Sequence, residues 1–98
     1  MDISRVTLIN PSAITACGIA HAMWSAARRD QEEYGATHLN IGVPVGLKTD
    51  CRRLVPQVTD ELTSLERNRG SRDDISLQEV VAFRYGRGNW AVVARFYT

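Results

Sequence analysis

The feature that most constrains the fold is the C-terminal stretch, residues 77–98, which has the pattern of a β-hairpin. The letters GRGN at residues 86–89 separate two runs rich in β-branched and aromatic residues, and glycine supplies the positive φ angles that tight hairpins need. The turn is either the two residues 87–88 or the four residues 86–89, and both choices place Tyr85 opposite Trp90. An antiparallel strand pair is therefore predicted at this end of the fold.

Alternation along each strand then divides the hairpin between two faces. The apolar face is predicted to lie in the core, and it carries Val81, Phe83, Tyr85, Trp90, Val92 and Ala94. The other face is mixed, with Gln78, Arg84, Arg95 and Tyr97 beside Val80, Ala82, Ala91 and Val93. The arginine and tyrosine side chains of the mixed face are candidates for recognition.

Two further segments are predicted to be strands. Residues 3–9 form a β-branched run in which Val6 and Leu8 share the core side. Residues 37–45 alternate strictly, with apolar side chains at the odd positions from 39 to 45. Because proline cannot donate to a ladder, Pro44 places the end of this strand at an edge or beyond the paired region.

The first predicted helix follows the first strand. Asn10 is a good N-cap residue, and Pro11 suits the first helical position, where its missing N–H costs nothing. Alanine-rich apolar residues recur on one side up to Tyr34, and Gly35 stands where a left-handed C-terminal residue is expected. The helix is therefore expected to run from Pro11 to about Tyr34 with its alanine side against the sheet.

The second predicted helix covers residues 49–68 and contains Pro56. Its apolar residues keep to one stripe across the proline, which favours a single kinked helix. Two shorter helices that share one face are the alternative, because proline removes a backbone hydrogen bond and disfavours helical geometry at the residue before it. Gly70 is expected to end the helix, with a charged loop at residues 71–74 leading into the hairpin.

These elements predict one compact domain over residues 1–98, of the α/β (α+β) class. The order is β-α-β-α-β-β, a two-layer sandwich in which two helices cover one face of a four-stranded mixed sheet. A right-handed first crossover makes the first two strands parallel if they share the sheet. This order is similar to that of the Alba-type chromatin and RNA-binding proteins and of the C-terminal domain of bacterial translation initiation factor three, in element order alone.

Charge and composition limit the classes of function. Twelve basic residues nearly balance eleven acidic ones, so no global field draws the chain to nucleic acid or to an anionic membrane. All the basic residues except Lys48 are arginine, a skew that GC-rich codon usage explains better than a recognition role does. No signal peptide and no apolar run long enough to span a bilayer is found, so we expect a cytoplasmic protein without membrane contact.

The two cysteines, Cys17 and Cys51, are too few for a disulfide scaffold and are expected to be buried free thiols in helices. Cys17 and His21 stand one helical turn apart, and His38 and Cys51 could complete a zinc site, but the spacing fits no paired metal-binding pattern. A small metal protein or enzyme around Cys17 and His21 is therefore only the third hypothesis, and we expect no metal and no cofactor.

Catalytic signatures are absent from the sequence. Residues 86–91 fit the letters of a dinucleotide fingerprint, but that motif needs a following helix where a strand is predicted here, so hairpin geometry explains the glycines better. The adjacent pairs Asp73-Asp74 and Glu32-Glu33 do not point together as a general acid and base would. No catalytic residue is assigned, and we expect a protein that is not an enzyme.

The outward face of the sheet is the predicted binding surface, together with the hairpin turn. Its candidate contact residues are Arg5, His38, Arg84, Arg87, Arg95 and Tyr97. The first hypothesis is a small protein-interaction module that self-associates or docks on a larger partner, with inhibition of that partner as one outcome of docking, since interfaces are enriched in Arg and Tyr. The alternative is a nucleic-acid binder that stacks bases and tracks phosphates with these residues.

Overall fold

The computed structural model describes residues 5–68 and 74–98 and confirms the predicted element order. The elements are β1 (Val6–Leu8), α1 (Ala16–Tyr34), β2 (His38–Gly46), α2 (Lys48–Arg67), β3 (Ser76–Arg84) and β4 (Trp90–Tyr97). The predicted start of the first strand at residues 3–4, the helix end at Gly70 and the loop residues 71–73 lie outside the described residues.

The four strands form one mixed sheet in the order β1-β2-β4-β3. β1 is parallel to β2, as predicted, and β4 is antiparallel to both β2 and β3. β1 pairs only as far as Gly42 of β2, whose carbonyl accepts the N–H of Ile9 at 2.9 Å. Pro44 therefore lies where the β1 side of β2 is unpaired, which agrees with its predicted place at an edge.

The prediction that α1 begins at Pro11 is wrong, because the helix begins at Ala16. Thr15 is the N-cap, and its Oγ1 accepts a hydrogen bond from the N–H of Gly18 at 3.0 Å. A Cβ on Gly18 would lie 2.6 Å from the carbonyl oxygen of Ala13, so the preceding segment folds back over the first turn and cannot continue the helix. At the other end Gly35 adopts the predicted left-handed conformation, with φ of 61°.

α2 is a single helix that contains Pro56, as the favoured prediction had it. Two threonines in the turns after the proline direct their hydroxyls back onto the helix. Thr59 Oγ1 donates to the carbonyl of Val55, and Thr63 Oγ1 donates to the carbonyl of Thr59, each at 2.7 Å. Back-bonding of this kind is common where helices bend. The exposed side of α2 carries the proline ring.

One hydrophobic core lies between the helices and one face of the sheet. β2 contributes its odd residues 39–43, and β4 contributes its even residues 92–96. Trp24 of α1 meets Phe96 of β4 edge to face, with ring centroids 5.7 Å apart. Lys48 Nζ lies 5.3 Å from the centroid of Trp90 at the end of this layer. Both helices thus cover the same face. Within the described residues, no helix is long and apolar enough to cross a membrane.

The predicted hairpin register is wrong by one residue. The N–H of Tyr85 donates to the carbonyl of Asn89 at 2.9 Å, and Trp90 is opposite Arg84. The loop therefore has three residues, 86–88, and not two or four, and both of its glycines have positive φ. An odd loop length moves each side chain of one strand to the other face.

Because of this shift, the two faces of β3 are exchanged relative to the prediction. Val80 and Ala82 pack against the core under the helices. Val81 and Phe83 lie opposite Val93 and Ala91 on the uncovered face. The predicted faces of β4 are correct, since Trp90, Val92 and Ala94 face the helices.

The predicted faces of β1 are exchanged as well. Thr7 faces the helix layer, where its hydroxyl donates to Asp30 of α1 at 3.2 Å. Val6 and Leu8 lie on the uncovered face, where they fill the space that Gly42 leaves without a side chain. A Cβ on Gly42 would be 3.0 Å from both of them. The missing side chain explains how this strand places its apolar residues away from the core.

Candidate binding surface

The sheet face opposite the helices, here called the outer face, is built from cross-strand rows of side chains. One row is polar, with Asn40 opposite Arg95 and Arg95 opposite Glu79. The next two rows are apolar: Leu8, Gly42, Val93 and Val81, then Pro44, Ala91 and Phe83. Polar side chains at one end of the outer face therefore give way to a continuous apolar patch.

Among the residues that the structure describes, no helix covers the apolar patch, yet its centre is closed to water. Ala91 and Val93 have no exposed surface, and they do not belong to the core cluster beneath the helices. Leu8, in the same row as Val93, remains 43% exposed at the margin. This part of the outer face thus combines small buried side chains with larger, partly exposed ones such as Leu8 and Phe83.

Electrostatics at the polar end are close to neutral. Arg95 Nη1 donates to Glu79 Oε1 at 2.7 Å, so the arginine of the predicted surface is paired with an acid. Arg95 Nε is buried and has no hydrogen-bond partner among the described residues. This pair leaves no net charge in the polar row formed by Asn40, Arg95 and Glu79.

Only three of the six predicted contact residues share the outer face. They are His38, Arg95 and Tyr97, of which His38 and Tyr97 are opposite each other at its polar end. Tyr97 is 45% exposed, and the exposed His38 has its Nδ1 3.2 Å from the hydroxyl of Thr37. The structure therefore brings together a histidine, a tyrosine and a paired arginine.

The other three predicted residues lie elsewhere. Arg84 belongs to the set of β3 residues on the helix side, and its Nε donates to the carbonyl of Gly86 at 3.2 Å. Arg87 is exposed in the hairpin loop, and Arg5 is exposed just before β1. The predicted assignment of Arg84 to the outer face is wrong, because the hairpin register differs from the prediction by one residue.

Sequence reasoning missed the apolar members of this surface: Val6, Leu8, Val81 and Phe83. The signal that could have found two of them is the spacing of Gly86 and Gly88, since a three-residue hairpin loop with a left-handed residue at its end is a common alternative to the loops considered. No local signal marks the other two, because the face of β1 depends on its neighbour β2.

The thiols and histidines are scattered. Cys17 and His21 are exposed on α1, so the prediction that Cys17 is buried is wrong. Cys51 is buried, and burial raises the pKa of its thiol, an effect that a hydrogen bond with the backbone of Phe83 partly offsets. No three metal-binding side chains gather anywhere in the described residues.

Comparisons with protein-family models, with curated proteins and with solved structures found no match to this chain.

Proposed function

We propose that this protein is a non-enzymatic interaction module that docks on a larger protein partner through its outer face. One observation supports the proposal above the others. The side of the sheet opposite the helices carries an apolar patch around Ala91 and Val93, with Leu8, Val81 and Phe83 at its margin. Burying such a patch against a partner is favourable by roughly 25 cal/mol for each Å² of apolar surface.

The distribution of charge also favours a protein partner over nucleic acid. A face that tracks a phosphate backbone needs unpaired cations beside its stacking side chains. On the outer face Arg95 is paired with Glu79, while Arg84 and Arg87 lie on the helix side and in the loop. The polar end, with Tyr97 and His38, resembles instead the polar rim of a protein interface.

The test compares two substitutions of exposed aliphatic residues. Leu8→Glu places a charge on the apolar patch, and Ile14→Glu places the same charge in the segment between β1 and α1. Proteins captured from the native host by the wild-type chain, with and without nuclease, are purified, and their affinity is measured by calorimetry.

We expect Leu8→Glu to weaken binding at least tenfold and Ile14→Glu to leave it unchanged, because Leu8 lies on the proposed docking surface and Ile14 does not. Equal affinity of all three chains, or capture that nuclease abolishes, would contradict the proposal. Matching thermal unfolding of the two variants excludes misfolding as the cause.

A further inference from the structure

A second surface, next to the outer face, lies at the end of the molecule that the hairpin loop closes. Arg84 ends β3 opposite Trp90, and Gly46 ends β2 opposite the same tryptophan. α2 begins here as well, because Lys48 Nζ lies 5.3 Å from the centroid of the Trp90 ring. Strand ends, the loop and the first turn of a helix therefore meet at one corner.

α2 brings two basic side chains to this corner. Lys48 and Arg52 stand one helical turn apart, so they share one side of the helix. Glu66 lies about five turns after Lys48 on the same side, and it accepts the N–H of Leu77 of β3. The side of α2 that carries the two basic residues is therefore its β3 side.

The hairpin adds two arginines, one at the end of β3 and one in the loop. All four basic side chains are exposed, and together they are called the basic corner: Lys48, Arg52, Arg84 and Arg87. Among the described residues none of the four is paired with an acid, whereas the neighbouring Arg53 is paired with Asp50 at 3.3 Å. The basic corner therefore carries a local positive charge that the net charge of the chain conceals.

Two of these cations are held in position by the fold. The ammonium of Lys48 lies over the Trp90 ring, which attracts cations. Arg84 Nε donates to the carbonyl of Gly86 at 3.2 Å, which fixes one side of its guanidinium. Side chains that are already ordered lose less conformational entropy when they bind a ligand.

The chemistry of the basic corner suits carboxylates. Guanidinium groups match the geometry of carboxylates and phosphates, but proteins that bind single-stranded nucleic acid also stack its bases on exposed aromatic rings. The aromatic side chains at this corner, Tyr85 and Trp90, are half-buried, and Lys48 lies over the Trp90 ring. The exposed Tyr97 lies at the opposite end of β4. The corner thus offers cations without a stacking platform, which favours an acidic peptide segment over nucleic acid.

The basic corner also adjoins the apolar patch of the outer face. The row of the patch nearest the loop contains Pro44, Ala91 and Phe83. Arg84 follows Phe83 directly in β3, with its side chain on the other side of the strand. A protein that covers the apolar patch therefore reaches the cations at the end of the same strands.

We propose that the basic corner binds an acidic segment, rich in Asp and Glu, of the protein on which the outer face docks. The inference rests on the proposed function, because one partner supplies both the apolar contact and the carboxylates. Complementary charge at the edge of an apolar contact accelerates association and fixes the orientation of the partner.

The test uses short peptides of defined charge as probes. An oligo-glutamate peptide, an oligo-glutamine peptide of equal length and a single-stranded oligothymidylate of equal charge are titrated into the ¹⁵N-labelled protein, and the amide shifts are followed by NMR. At about 0.1 M salt the Debye length is about 10 Å, against a longest extent of 39 Å for the molecule, so distant charges contribute little.

Two double variants with the same net charge are compared. Arg52→Glu with Arg87→Glu reverses two exposed charges of the basic corner. Arg29→Glu with Arg67→Glu reverses two exposed charges in the last two turns of α1 and α2, at the opposite end of the molecule. Thermal unfolding verifies that both double variants are folded.

We expect the wild type to bind oligo-glutamate but not oligo-glutamine, with the shifted amides confined to residues 47–53 and 84–89. The corner variant should bind oligo-glutamate at least tenfold more weakly, and the matched control as tightly as the wild type. No binding by the wild type, equal loss in both variants, or tighter binding of the oligothymidylate would overturn the proposal.

The purified partner separates this proposal from the docking function. The corner variant should lose affinity for it chiefly at low salt, because screening weakens a charge contact, whereas Leu8→Glu should lose affinity at every salt concentration. Full affinity of the corner variant, with Leu8→Glu weakened, would refute the basic corner and leave the docking function standing. Full affinity of Leu8→Glu, with the corner variant weakened, would refute the docking function of the apolar patch and keep the basic corner.

Discussion

At the scale of single residues, small side chains decide what can lie beside them. Gly42 leaves room on the outer face for Val6 and Leu8, which would be only 3.0 Å from a Cβ at that position. Gly18 allows the carbonyl of Ala13 to approach the first turn of α1. Two residues without side chains thus set the position of an edge strand and the start of a helix.

The start of α1 provides a residue-scale prediction. Thr15→Ala should lower the free energy of unfolding by about 1 kcal/mol, because the Gly18 N–H loses its side-chain acceptor. Asn10→Ala should change it by less than about 0.5 kcal/mol, since Asn10 is exposed and caps no helix in the structure. Urea denaturation of both variants measures the difference. A larger effect at Asn10 than at Thr15 would mean that the helix begins where the sequence pattern alone places it.

At the scale of elements, β3 shows how the length of a loop determines which side chains of a strand face the core. Its residues 80–83 are all apolar, so either alternate set could face the core. The three-residue loop directs Val80 and Ala82 to the helices and leaves Val81 and Phe83 on the outer face. The register changes again near the start of the strand, where it shifts between Leu77 and Glu79.

Adjacent valines test this assignment. Val80→Asp should lower the free energy of unfolding by about 3 kcal/mol or more, because an unpaired carboxylate enters the core. Val81→Asp should cost about 1 kcal/mol, since its side chain stays at the surface of the outer face. Thermal and urea unfolding of the pair measure both values. Equal costs, or a greater cost at Val81, would show that the strand faces are the reverse.

At the scale of the whole molecule, the two sides of the sheet differ in kind. The helices cover the hydrophobic core on one face, and the other face carries a neutral polar end beside an apolar patch. The formal net charge of +1 adds no long-range attraction for polyanions. The molecule is therefore suited to short-range apolar contact on its uncovered side.

The charge distribution predicts weak binding to nucleic acid. Titration of labelled single-stranded and double-stranded oligonucleotides at physiological salt should give dissociation constants no tighter than the non-specific range of about 10⁻⁴ to 10⁻⁶ M. Arg95→Ala should not weaken what binding remains, because this arginine is already paired with Glu79. Tight binding whose salt dependence falls when Arg87 or Arg95 is removed would favour the nucleic-acid alternative.

Local sequence patterns were sufficient to predict which segments form helices and which form strands. The strict alternation of residues 37–45, the apolar stripe across Pro56 and the glycine at position 35 each report on contacts within a few residues, and each matches the structure. The binding surface depends on the pairing between strands. Its composition was therefore mispredicted at β3, where adjacent residues such as Val80 and Val81 are both apolar, and at β1.

The sequence by itself determined the class of fold, the number and order of its helices and strands, and the near balance of its charges, because periodicity and composition are properties of the chain. The tertiary structure decided the strand order, the faces of β1 and β3, and the ion pair between Arg95 and Glu79. The physical reason is that a side chain's surroundings depend on register, and register here depends on one odd loop at residues 86–88 and on one missing side chain at Gly42.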